Sequence, residues 1–127
     1  MLHKFRVLKS SWGIAIDIDM DVVSEADGLS FSEVSDDILV LVKDKDLNPD
    51  LHYLIFNAIK NNMNLIKSKK GSNRLYFIIN KIVYNPTDFQ DNALYYAVED
   101  SIYNHFGEVS PQYEIEFDIS NNSYIFK

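Results

Sequence analysis

Asp17, Asp19 and Asp21 are the residues whose type and spacing come nearest to a cation site. A calcium loop starting at Asp17 needs glycine at its sixth position for the sharp turn and an acid at its twelfth for bidentate ligation. Val22 and Gly28 stand there instead, so both requirements fail. Ile18 and Met20 separate the aspartates, and alternation of this kind is the pattern of a β-strand. A strand puts all three carboxylates on one face, neighbours about 7 Å apart. That face is either simply solvated or a docking surface for a basic partner. Glu114, Glu116 and Asp118 alternate with Ile115 and Phe117 in the same way. The two acidic rows together are the candidate partner-binding residues.

Other chemistry finds less to stand on. His3, His52 and His105 fall on separate segments with no ligand-spaced pair among them. His105 comes at the end of a helical pattern, where an imidazolium suits the negative end of the helix dipole. No Gly-x-Ser-x-Gly elbow is present, and the four glycines are scattered singly, so neither a serine nucleophile nor a phosphate-cradling loop is written in the chain. Cysteine is absent, which removes disulfides, thiolate metal sites and thiol nucleophiles. The expectation is therefore a protein that is not an enzyme and holds no metal or cofactor.

Charge is unevenly spread. The net charge is −7, yet Lys60, Lys67, Lys69, Lys70 and Arg74 lie in a stretch without a single acid, followed by Lys81. That stretch reads as a helix C-terminus with a solvated loop, or as a phosphate contact. An acidic surface elsewhere argues against general nucleic-acid binding and for a basic protein partner. Tyr84, Tyr95, Tyr96 and Tyr103 exceed what a small core needs; Tyr96 and Tyr103 share a flank of one helix, as partly buried rings or as interface anchors. At 127 residues, 46% hydrophobic and 13% aromatic, the chain suits one domain with one core. Charges at positions 4, 6 and 9 interrupt the N-terminal apolar residues, and the longest apolar run, Ile38 to Val42, is far short of a membrane span. A soluble, cytoplasmic protein is expected.

The elements that must position these residues are legible in outline. Gly13 to Val23 alternates as a strand; with Ala26-Asp27-Gly28 as a turn and Leu29 to Val34 as its partner, it reads as an antiparallel hairpin. His3 to Leu8 adds an edge strand, and Ile38 to Val42 is ambiguous between strand and helix. Asn48-Pro49 opens a first helix carrying Leu51, Leu54, Ile55, Ala58, Ile59 and Met63 on one face, with Gly71 closing it. Leu75 to Tyr84 reads as an interior strand. Thr87-Asp88-Phe89-Gln90 fits a capping box before a second helix with Ala93, Leu94, Ala97, Val98, Ile102 and Phe106 buried. Tyr113 to Ile119 and Tyr124 to Phe126 form a last hairpin about Asn121-Asn122. Residues 1–127 are thus expected to form a single α+β domain, two helices packed on one face of a mostly antiparallel sheet of four to six strands.

This order resembles domain IV of elongation factor G over roughly residues 12–106. Trp12 to Val34 matches that family's strand pair, Pro49 with Ala58-Ile59 its first helix, and Leu75 to Val83 the next strand. Thr87-Asp88-Phe89 stands for its Val-Asp-Ser, and Ala93-Leu94-Tyr95-Tyr96-Ala97 matches its Ala-Phe-x-x-Ala with Leu for Phe. The resemblance implies the fold, including the family's left-handed crossover. Its Gly-Ser-Tyr-His loop is replaced by Lys81 to Pro86, and its glycine-rich segment is reduced to Ser10-Ser11-Trp12-Gly13, so no translocation role is carried over.

The leading expectation is a non-catalytic protein-binding module. Small acidic domains of this composition include immunity proteins, which neutralise a basic toxin with carboxylates that mimic phosphates and steer association. The alternative is a ribosome- or RNA-associated factor that uses the basic segment, as the translation-factor resemblance implies.

Overall fold

Alternating polarity lays out the main sheet. The chain, described here from a computed structural model over residues 1–26 and 30–127, forms β1 (Leu2–Leu8), β2 (Gly13–Val23), β3 (Ser32–Ser35), β4 (Ile38–Val42) and β5 (Leu75–Tyr84). They assemble in the order β1-β2-β5-β4-β3, every pair antiparallel except β4 with β5. Between β4 and β5 run α1 (His52–Asn61) and α2 (Met63–Lys70); α3 (Ala93–His105) follows β5. A two-stranded sheet of β6 (Ile115–Asp118) and β7 (Ser123–Phe126) ends the fold. It is an α+β fold, as expected.

One face of the main sheet is the core. Ile14, Ile16, Ile18 and Met20 of β2, Phe77 and Ile79 of β5 and Ile38 of β4 are essentially inaccessible. Onto them pack Ile55, Ala58 and Ile59 from α1 and Ala93, Leu94, Ala97, Val98 and Ile102 from α3. The stripes expected on the two helices are therefore the buried ones except at their last residues, Met63 and Phe106, which are half-buried. At the β1–β2 corner a Cβ on Gly13 would sit 2.5 Å from the carbonyl oxygen of Val7, so only glycine fits. Gly71 closes α2 at φ +59°, as its place after a basic turn predicts.

The structure corrects several local readings. The strand Gly13–Val23 does not pair with the segment after it. β2 lies between β1 and β5, and β3 pairs with β4 instead; the turn read at Asp27-Gly28 lies outside the described residues. The ambiguous run Ile38–Val42 is a strand, held parallel to β5. The first helix is broken at Asn62, whose backbone leaves helical geometry (φ −110°, ψ 25°). Its side-chain amide donates to the Ala58 carbonyl at 2.7 Å, satisfying locally a group the helix would otherwise hold.

The capping box is also misplaced. Residues Pro86–Asp88 form a 3₁₀ turn capped by Asn85, whose Oδ1 accepts from the Thr87 N–H at 3.1 Å and from its hydroxyl at 2.9 Å. Thr87 is a donor within that turn, and α3 starts five residues beyond Asp88, at Ala93. Gln90 does not reach back along the chain. It bonds to β7.

Candidate functional site

On β2 the face opposite the helices carries Asp17 and Asp19, both half-buried, and Asp21, which is exposed. The register sets Lys4 and Val83 beside Asp17, Leu2 and Lys81 beside Asp19, and Ile78 beside Asp21. Arg6 Nη2 pairs with Asp17 Oδ1 at 2.7 Å; the amino group of Met1 lies 3.2 Å from Asp19 and 2.8 Å from Asp21. Asn80, at a bulge in β5, donates to Asp21 Oδ2 at 2.9 Å. The hydrogen bond from the amino group, then the one from Asn80, hold the Asp21 carboxyl below its ordinary range. The acidic row is thus already interlaced with cations. Exposed pairs of this kind add at most about 1 kcal/mol to folding.

Next to that row the same face turns apolar. Leu39 lies beside Tyr76 and Leu41 beside Ile78 across the β4–β5 ladder, and Phe31 meets the Tyr76 ring edge-on at 4.8 Å. These side chains are only half-buried, and no helix packs over them among the described residues. An apolar patch rimmed by charge is the anatomy of a protein-docking surface. Sequence reasoning found the aspartates and missed this half, because the strand pairing that assembles it joins residues far apart in the chain.

The second acidic row is elsewhere. β6 and β7 pack on the helix side, where Phe126 stacks over Tyr96 at 4.1 Å and Phe117 meets Trp12 at 5.9 Å. Glu116 pairs with Lys127 at 2.9 Å, and Glu114 exchanges two backbone hydrogen bonds with the same residue. Asp118 is committed to its own turn, accepting from the backbone of Ser120 and Asn121 and from the Asn121 side chain. The structure does not bring Glu114, Glu116 and Asp118 together with Asp17, Asp19 and Asp21: the rows face opposite sides of the main sheet.

Of the basic segment, Lys69 pairs with Glu108 at 2.5 Å and Lys70 with Asp37 at 3.3 Å, so two of its charges are used internally. Among the described residues no three His, Asp or Glu side chains are grouped as a metal would need, and no helix is long and apolar enough to cross a membrane.

His105 occupies the last turn of α3, as read, but not as a solvated cation. Burial lowers its pKa, and burial likewise lowers that of His3 on β1. His3 Nε2 and His105 Nδ1 are buried without a hydrogen-bond partner among the described residues. The charges facing them are each other, Asp100, Asp21 and the amino group of Met1; the two aspartates favour protonation and are outweighed by burial. Both histidines thus take up protons more readily unfolded than folded. Stability should be complete well above the ordinary histidine pKa of about 6.5 and decline as pH falls below it, where the unfolded state protonates first. Urea unfolding at pH 7.5 and 5.5 measures this, and His105→Phe should flatten the decline. Equal stability at both pH values would show that burial does not dominate.

Comparison with protein-family models and with curated proteins finds no match for this chain.

Proposed function

We propose that this chain is a non-catalytic protein-binding module that docks a basic protein on the open face of its main sheet, in the manner of an immunity protein neutralising a toxin. The observation that carries the reading is the uncovered face, where Leu39, Leu41, Tyr76 and Ile78 lie beside the row of Asp17, Asp19 and Asp21. Apolar side chains on rigid strands would supply affinity, and the carboxylates steering and register. The proposed likeness in fold to elongation factor G domain IV rests on the sequence pattern over residues 12–106 and says nothing of function. With Lys69 and Lys70 engaged by carboxylates, no observation favours the RNA reading.

Because Lys4, Arg6 and Lys81 lie among the aspartates, replacing all three acids with Asn turns the strip from mixed to positive. The partner captured from the native host should then associate about tenfold more slowly at low salt, an effect that fades as salt rises. Tyr76→Ala should act differently, raising the dissociation rate. Stopped-flow association across a salt series separates the two. A triple Asn variant that associates at the wild-type rate in low salt disproves the reading.

A further inference from the structure

Glu99 lies in the middle of α3 with only 4% of its surface exposed, and no cation lies within ion-pair distance among the described residues. Its Oε2 accepts from Asn62 Nδ2 at 2.8 Å and its Oε1 from the Tyr113 hydroxyl. Both donors are neutral. A carboxylate withdrawn from water against neutral donors alone is incompletely compensated.

A hollow of about 160 Å³ adjoins it, lined by Phe5, Tyr96, Glu99, Asp100, Tyr113 and Phe126 among others, with no Lys or Arg in its wall. Tyr96 lies flat against Phe126 and meets Tyr113 at 77°, so the rings form a corner. Among the described residues the Asp100 oxygens are engaged only by Ser110 and Asn104, again neutral donors. Burial first, and then the hydrogen bond to Glu99, raise the Tyr113 pKa, so its hydroxyl stays a donor. Four aromatic rings and two carboxylates around one hollow are the chemistry that attracts an organic cation, through ring quadrupoles and unpaired negative charge together.

We infer that this hollow binds an ammonium group, either the head of a small amine or the end of a lysine side chain. Anions are repelled by both acids. A neutral ligand would leave Glu99 as it is. The volume admits a head group and is well below the roughly 300 Å³ at which drug-sized sites begin. The hollow is on the helix side of the sheet, so its occupancy goes beyond the proposed docking on the open face and is tested separately.

The probes are choline, butylammonium and 3,3-dimethyl-1-butanol, the uncharged counterpart of choline, titrated against the intact chain by NMR. At least one ammonium should give saturable shifts of the Tyr96, Tyr113 and Phe126 ring signals, with the alcohol about tenfold weaker or more. Choline alone would mark a quaternary head group as the ligand, butylammonium alone a lysine-like one; both support the assignment. Glu99→Gln, or Asp100→Asn if the first does not fold, should weaken binding by about tenfold or threefold respectively. No saturation with either ammonium at about 20 mM, equal binding of the alcohol, or wild-type affinity in a folded variant overturns it.

Discussion

Leu94→Ala and Ile102→Ala should each destabilise the protein by about 2–5 kcal/mol. Both side chains are fully inaccessible, two turns apart on the face of α3 that packs on β1 and β2. Truncation removes the transfer free energy of the lost methyl groups and leaves a cavity that neighbours on a rigid sheet close only partly. A domain of this size holds about 5–15 kcal/mol in all, so either change takes a large share. Urea unfolding at neutral pH measures it, with the dependence on denaturant unchanged if both variants unfold from the same native state. A loss below about 0.5 kcal/mol at both positions, the size of a surface change, would mean that this face of α3 is not buried.

What the chain disclosed beforehand divides along a physical line. Local periodicity is set by which face of an element is buried, so β2, β5 and the stripes of α1 and α3 could be read from Ile14 to Met20, from Leu75 to Tyr84 and from Leu94 to Ile102. Pairing is not local. Ser32–Ser35 follows β2 closely and looked like its partner, yet β2 spends both of its edges on β1 and on β5, more than fifty residues later. The open face shared the same fate: its aspartates were visible as a period of two, while the patch of Leu39, Leu41, Tyr76 and Ile78 exists only once β4 and β5 align. Glu99 and Asn62 were hidden for a further reason. Glu99 is a helical polar residue and Asn62 a polar residue at the break between α1 and α2, neither of any distinction until α1 and α3 pack and place them 2.8 Å apart.

Gln90→Ala should cost about 2 kcal/mol and loosen the C-terminal hairpin before the main sheet. An amide side chain presents an acceptor and donors at the spacing of a peptide group, and Gln90 turns its oxygen and one N–H to Tyr124 while its nitrogen also donates to Asn92 Oδ1 at 2.6 Å. Its Oε1 accepts from the Tyr124 N–H at 2.7 Å and its Nε2 donates to the Tyr124 carbonyl at 2.7 Å, as a neighbouring strand would. Tyr124 is only 2% exposed, so water does not replace those bonds without opening the hairpin. The residue is also the hairpin's anchor: its hydroxyl donates to the Trp12 carbonyl at 2.6 Å and accepts from the Lys9 N–H at 2.9 Å. Gln90→Met supplies the control, since it keeps the length and apolar contact of the side chain and deletes only the amide. If the hydrogen bonds carry the effect, Met and Ala cost alike, and in both the Tyr124 amide exchanges its proton far faster while Phe77 and Ile79 stay protected. A Met variant as stable as the wild type would assign the clamp to packing, and an unchanged exchange rate at Tyr124 in either variant would show that Gln90 does not hold β7 in place.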